Sequence, residues 1–244
     1  MQPLCSDSML PLADFDSHMT DEAKAAAEIA KATGKAIDSA SKFGGFMARF
    51  ISGPLEQLSG IAEDRFKFMR WERQVRLMDR ADAVLHARGM TSATRAVPLN
   101  IAVPILQAGS LEESNELQDL WANMLVNAAD ESVDVQFRRA FISIAEDLTY
   151  LDKKMLEGIY GPSIKCNQDV AISLQGLPGS PSVLRVPVNK EVEARPIDLQ
   201  VEVSLGNLAR LGMIEFGEYM GDVFDSYRCI RRTSLGAEFM KAIQ

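Results

Sequence analysis

Two long amphipathic stretches fill most of the N-terminal part of the chain. Apolar residues recur at steps of three or four over residues 20–51 and again over 55–88, which is the spacing of one face of an α-helix. Gly53-Pro54 ends or kinks the first stretch, and Gly89 stands where the second should stop. The pattern predicts two long helices after a loose tail over residues 1–19, which has no periodicity.

The middle of the chain combines short apolar-periodic segments with residues that cap helices. Residues 98–108 predict a short, largely buried helix, and Ser110-Leu-Glu-Glu113 has the pattern of a capping box that starts the next one. Residues 135–147 predict a further helix, and Thr149 is a typical N-cap for a helix over 150–160. These segments indicate a compact helical region.

The texture of the sequence changes after residue 161. Residues 162–195 contain the run Gly176–Ser182, rich in Gly, Pro and Ser, and β-prone fragments, and they predict an irregular linker. Residues 196–244 follow the order helix, strand, turn, strand, helix, which is typical of the end of a winged-helix-like unit. We therefore expect a mainly α fold, with one helical domain over 20–161, the linker, and a small winged-helix-like α+β unit.

The first candidate functional segment is the helix over residues 23–53. Lysines and an arginine recur along one side of it, and apolar residues with several phenylalanines line the other. Such a cationic amphipathic helix either lies in a membrane interface, with cations toward phosphates and phenylalanines inward, or packs on a neighbouring helix. The pattern alone does not separate the two, and packing is the commoner outcome. The candidate membrane-binding residues are Lys31, Lys35, Lys42, Phe43, Phe46, Arg49 and Phe50.

A second candidate is the arginine-rich segment over residues 65–88. Its arginines could bind phosphates, but acidic residues stand at helical neighbour spacing, as Glu72 and Asp79 do around Arg76. We therefore expect intrahelical ion pairs on a solvated face rather than a nucleic-acid site.

The net charge of the whole chain also argues against a nucleic-acid site. The 244 residues carry 26 Lys and Arg against 34 Asp and Glu, a net charge of −8, whereas a general nucleic-acid binder presents a basic surface. In the predicted C-terminal unit, the turn that would form a basic wing holds Glu218, Asp222 and Asp225 instead. These acids would repel phosphate, so nucleic acid is not an expected partner.

The chain is poor in residues that perform catalysis. It has two histidines and three widely spaced cysteines without a CxxC pair, and it lacks the GxSxG, HExxH, P-loop and GxGxxG motifs. Asp130, Glu131 and Asp134 cluster but do not have the spacing of a calcium loop. We expect no enzymatic activity, no metal, no cofactor and no small-molecule substrate.

The same features predict a compartment. An odd number of distant cysteines fits a reducing cytosol, and residues 1–19 contain no Lys or Arg that could form the start of a signal peptide. The charge-free stretch Ala96–Leu111 is too short to span a bilayer and contains two prolines. We expect a cytoplasmic protein, with peripheral attachment to the inner membrane if the helix over 23–53 binds lipid.

Residues 98–128 carry a resemblance to a known family. The run Pro98–Ala108, then Ser110-Leu-Glu-Glu113, then Glu116-Leu-Gln-Asp-Leu-Trp-Ala-Asn-Met-Leu-Val-Asn-Ala128 resembles the abortive infection alpha (Abi-alpha) family of bacterial phage-defence proteins. Weaker similarity extends over most of residues 20–244. The resemblance implies a defence in which the infected cell stops growing or dies, and it carries over no catalytic residue. Its central motif is expected to pack on one helix face through Leu117, Leu120, Trp121 and Leu125.

Three functions are compatible with these observations. The first is a non-enzymatic effector or effector component, which works through self-assembly or a protein partner, with or without insertion of the helix over 23–53 into a membrane. The second is an interaction module that holds or inhibits a partner through the acidic wing or the arginine-rich face. The third is a winged-helix regulator on DNA, which the acidic wing argues against.

Overall fold

The structure is a computed structural model that describes residues 41–46, 48–50, 71–162, 172–174, 176–183, 197–217 and 229–244. The chain divides into two compact units, Met1–Met47 and Ala48–Gln244. In the first unit, residues 41–46 are helical. The second unit contains residues 48–50, which are also helical, and all the other elements.

Between residues 71 and 146 the second unit has four helices: α1 (Trp71–Ala87), α2 (Leu99–Leu111), α3 (Asn115–Ala129) and α4 (Arg139–Glu146). Helix α3 is the central one, because it packs against both α1 and α2 and 11 of its 15 residues are buried. The helices approach closely at Gly109, where an added Cβ would lie 2.8 Å from Leu77 Cδ2 and 2.9 Å from Trp121 Cβ.

The remaining elements combine three helices with a small sheet. They are α5 (Tyr150–Tyr160), β1 (Ile172–Ser173), β2 (Ser182–Val183), α6 (Leu199–Arg210), β3 (Ile214–Phe216), β4 (Cys229–Arg232) and α7 (Ser234–Ile243). All strand pairs are antiparallel, in the order β2-β1-β4-β3. Helix α7 packs against α3, which joins this part to the helical core. The described chain is therefore mainly helical, with a small antiparallel sheet near its C-terminal end.

Two predicted helix ends are confirmed. Thr149 caps α5 in a full capping box with Asp152. Gly89 follows α1 with a φ of 69°, the left-handed conformation that glycine tolerates. The β-prone fragments in the segment predicted as a linker contribute Ile172 and Val183 to strands of the sheet, so part of that segment is ordered in this fold.

The predicted capping box at Ser110 is wrong. Ser110 is fully buried in the last turn of α2, where its hydroxyl donates to the Gln107 carbonyl oxygen. The N-cap of α3 is Ser114, whose side chain accepts from the Leu117 amide. The core contacts around Gly109 carry α2 beyond the predicted end, so the second serine begins the next helix. Helix α4 is also shorter than predicted, since it begins at Arg139 rather than at residue 135.

Candidate functional site

Helix α6 is held against α5 through a buried carboxylate. Asp152, which is 1% exposed, accepts hydrogen bonds from the Ser204 hydroxyl and from Asn207 Nδ2 at 3.0 Å. The same carboxylate also accepts from the Thr149 amide at 2.8 Å, where it completes the cap of α5. Val201, Leu205 and Leu208 add a buried apolar seam on this inner face of α6. The helix is therefore fixed in position.

The outer face of α6 exposes two large apolar side chains. Leu199 is 67% exposed and Val203 is 61% exposed, the highest values for large apolar residues in the part of the chain that the structure describes. Gly206 follows on the same face, and no atom lies within 4 Å of a Cβ placed there. Arg210 ends this face. We call Leu199, Val203, Gly206 and Arg210, which are spaced by four, three and four residues, the α6 stripe.

Charges divide the α6 stripe into two ends. Asp198, the N-cap whose side chain accepts from the Gln200 amide, and Glu202 make the first turn acidic. Arg210 makes the last turn basic, and its guanidinium lies 2.9 Å from Asp147 in a pair whose side chains are 59% and 50% exposed. Both signs suit the helix dipole. An acidic first turn repels a phosphate backbone.

The tyrosine at the end of α5 anchors the sheet and α7. The Tyr160 hydroxyl donates to the Met213 carbonyl oxygen at 2.5 Å and accepts from the Thr233 amide at 3.0 Å. Burial raises the pKa of Tyr160. The Arg232 guanidinium lies 5.5 Å from the centre of the Tyr160 ring and donates to the Ile159 carbonyl oxygen at 2.8 Å. These contacts fix the elements that flank α6.

An open cleft of about 510 Å³ lies between residues 95–101 and 131–137. Val97 and Val135 are buried in its lining, and Glu131 and Asp134 are exposed at it. The Arg95 guanidinium, which also lines the cleft, donates to the Ala128 and Asn127 carbonyl oxygens, each at 3.1 Å. Its hydrogen bonds thus cover the C-terminal end of α3, and it has a structural role in this position.

The arginines of α1 pair across helices, which corrects the prediction of intrahelical pairs. Arg73 bonds to Glu113 and to the Leu111 carbonyl oxygen, and Arg80 bonds to Asp119 and Asn115. Arg76 donates to Asn115 Oδ1 at 3.4 Å. These contacts join α1 to the start of α3 and to the loop before it, so the arginines serve packing between helices.

The candidate membrane-binding residues are only partly described. Lys31 and Lys35 lie outside the described residues. In the first unit, Lys42 is exposed, Phe43 is half-buried and Phe46 is buried. In the second unit, Arg49 Nη2 lies 2.8 Å from Asp82 of α1, and Phe50 is buried with its carbonyl oxygen accepting from the Val97 amide. Insertion into a membrane would require Phe46 and Phe50 to leave these positions.

The residues of the family motif lie in the core. Leu117, Leu120, Trp121 and Leu125 of α3 are all buried, and Trp121 contacts the α2 backbone at Gly109. Their neighbour Gln118 is also fully buried, and its amide nitrogen donates to the Glu112 carbonyl oxygen at 3.2 Å, near the end of α2. The motif therefore packs the centre of the helical region.

His86 and Cys229 are the one histidine and the one cysteine within the described ranges. Those ranges contain no group of three or more His, Cys, Asp or Glu residues that could hold a metal ion. His86 is exposed, and burial raises the pKa of the Cys229 thiol. None of the described helices is long and apolar enough to cross a bilayer.

Sequence reasoning missed the α6 stripe, although the chain contains a hint of it. Leu199 and Val203 stand four residues apart, on the face opposite to Val201, Leu205 and Leu208. A helix with apolar residues on both faces either is buried all round or exposes one face, and only the position of Asp152 shows which face is covered.

Comparison with known proteins identifies the family. No curated protein and no solved structure matches the chain. A family model described as abortive infection alpha matches residues 72–243, which run from the start of α1 to the end of α7. This match covers more than half of the chain and contains all the elements from α2 to α7. The family name refers to abortive infection, a bacterial defence against phage. The chain belongs to the abortive infection alpha family.

Proposed function

We propose that this chain is a non-enzymatic component of an abortive infection system, and that it acts through a protein contact made by the α6 stripe. The exposure of Leu199 and Val203 on a firmly docked helix is the observation that carries the proposal. Family membership supplies the biological setting, in which growth arrest or death of the infected cell limits the phage. The scarcity of catalytic residue types in the sequence supports action without chemistry.

The energetics of the stripe suit a protein contact. Fully burying a leucine or valine side chain is worth roughly 1.5–3 kcal/mol. Because the hydrogen bonds to Asp152 already hold α6 in place, binding a partner would cost little conformational entropy for ordering the helix. Two adjacent apolar side chains with exposed polar neighbours resemble the centre and rim of a small interface.

The sheet order supports a winged-helix-like unit. α6 precedes β3, β3 pairs with β4, and α7 follows, which is the order predicted for residues 196–244. β1, from the segment predicted as a linker, pairs with the other side of β4. In such a unit, α6 would occupy the place of the helix that contacts a ligand. Its acidic first turn, with Asp198 and Glu202, favours a protein over DNA there.

The test is a phage challenge of bacteria that this protein protects. Val203→Asp places a charge in the centre of the stripe, and we expect plaque formation to rise to the level of cells without the protein. Leu111→Asp makes the same kind of change at a leucine that is 56% exposed at the end of α2, and protection should persist. Full protection by a folded Val203→Asp variant would contradict the proposal.

Membrane insertion of the helix over 23–53 is the second candidate. Its cationic amphipathic pattern favours it, and the Arg49–Asp82 ion pair is one contact that would have to break. The full chain is tested by flotation with vesicles that contain an anionic lipid. Insertion predicts flotation that survives high salt and increases for Asp82→Ala, with Asp79→Ala on the exposed side of α1 as the control. The absence of flotation at either salt concentration would contradict membrane insertion.

A further inference from the structure

We propose that the α6 stripe binds the same stripe of a second copy of this chain, in an antiparallel pair about a two-fold axis. The inference rests on the proposed function in one respect, since it takes the stripe to be a contact surface. It adds the identity of the partner.

The spacing of the stripe residues is symmetric. The stripe residues Leu199, Val203, Gly206 and Arg210 are separated by four, three and four positions, so the order of spacings is the same read in either direction. Two such helices placed antiparallel, with the axis between Val203 and Gly206, bring Val203 opposite Gly206 of the second copy. A two-fold interface needs a surface that is complementary to itself, and this spacing meets that condition.

The notch at Gly206 fits the side chain of Val203 from the second copy. Gly206 leaves an open notch on the outer face of α6, because no atom lies within 4 Å of a Cβ built there. Val203, which is 61% exposed, stands one turn earlier and projects from the same face. In the antiparallel pair each valine fills the notch of the other copy. The two helices can therefore approach closely along the stripe.

The charges at the two ends of the stripe also favour the antiparallel pair. The stripe is acidic at its first turn, where Glu202 lies, and basic at Arg210. The antiparallel arrangement places the acidic end of one helix beside the basic end of the other, whereas a parallel arrangement would place like charges together. Arg210 bonds to Asp147 and to Asn207 Oδ1 in exposed contacts, which contribute little to stability, so it can also reach Glu202 of the second copy. Leu199 then packs against the aliphatic part of Arg210.

The size of the contact sets its strength. One helix of 12 residues, roughly 18 Å long at 1.5 Å per residue, covers less than the area of about 800 Å² per partner found in a standard interface. We therefore expect a weak dimer that forms and dissociates with concentration in the micromolar range.

Sedimentation of the full chain over a concentration series tests the inference. We expect the wild-type protein to pass from monomer to dimer as its concentration rises. Gly206→Gln fills the notch and should keep the protein monomeric, and so should Val203→Asp. Gly206→Gln also replaces an exposed glycine inside a helix by a better helix former, so the variant should stay folded. Leu111→Asp is the control that should dimerise like the wild type.

The outcomes separate this inference from the proposed function. A wild-type protein that is monomeric at every concentration overturns the dimer, and so does a dimer that persists in Gly206→Gln. If Val203→Asp nevertheless abolishes protection against phage, the proposed function stands with a different partner. If Val203→Asp is monomeric but protects fully, the dimer stands and the proposed function fails.

Discussion

At the scale of single residues, the Tyr160 hydroxyl connects the end of α5 to the residues that precede β3 and α7. The Tyr160 oxygen lies between the Met213 carbonyl and the Thr233 amide, and it leaves no space beside Gly236. The glycine at the start of α7 is therefore required by close approach rather than by backbone conformation.

We expect Gly236→Ala to lower the free energy of unfolding by about 1–3 kcal/mol, the usual cost of overpacking. A Cβ at this position would overlap the Tyr160 oxygen and lie 2.5 Å from the Met213 carbonyl oxygen. Urea denaturation measures the change. Gly206→Ala is the matched control, because its Cβ meets no atom within 4 Å and the substitution should stabilise α6 by up to about 1 kcal/mol. Equal stability of the two variants would refute the predicted crowding at Gly236.

A second residue-scale prediction concerns pH. The Ser132 hydroxyl is the first cause of a lowered pKa for Asp130, followed by the Ser132 amide and Arg88, while burial acts in the opposite direction. Because the folded-state pKa lies below the unfolded value of about 3.9, the associated stability is present above that value and is lost as the pH falls through the folded-state pKa.

Ser132→Ala should therefore destabilise the protein by about 1 kcal/mol at neutral pH, and the difference from the wild type should shrink as the pH falls below about 4. Denaturation at a series of pH values checks this. Ser143→Ala, at an exposed position in α4, serves as the control and should show no such dependence. A difference that is constant with pH would argue against the role of the Asp130 charge.

At the scale of elements, the attachment of α6 depends on a buried acceptor. Asp152 receives hydrogen bonds from Thr149, Ser204 and Asn207, all of which donate. An asparagine would keep the shape but would turn an NH₂ group toward donors, which leaves buried groups without partners.

Asp152→Asn should lower the free energy of unfolding by about 1–3 kcal/mol. The exposed Asp147→Asn, which removes the charge of the Arg210 pair, should cost no more than about 1 kcal/mol. Thermal or urea denaturation of both variants measures the difference. An Asp152→Asn variant as stable as the wild type would show that the hydrogen bonds to Asp152 do not stabilise the attachment of α6.

The sequence predicted helices and their caps better than it predicted which residues on different elements bond to each other. Thr149 is identified as a cap because capping depends on the residue and its nearest neighbours. Ser110 and Ser114 are both residue types that cap helices, and the burial of Ser110 in the last turn of α2 decides between them. The partners of Arg73 and Arg80 lie 40 and 39 positions away, in the loop before α3 and on α3 itself, which helical spacing alone does not reveal.

At the scale of the whole molecule, α3 joins the helical core to the C-terminal part. Near its start, Gln118 bonds to the end of α2, and near its end the Asn127 amide nitrogen donates to the Ala242 carbonyl oxygen at 3.0 Å. Both side chains are buried. The family motif and the sheet are therefore parts of one folded unit, which agrees with a family match that extends across both.

The double use of Asp152 has a consequence for the response to a partner. The carboxylate that accepts a hydrogen bond from Asn207 of α6 also accepts one from the Thr149 amide in the cap of α5. The two helices therefore share one acceptor. A ligand that shifts α6 would also loosen the first turn of α5. Occupancy of the surface and hydrogen exchange at the start of α5 are then thermodynamically linked, and each reports on the other.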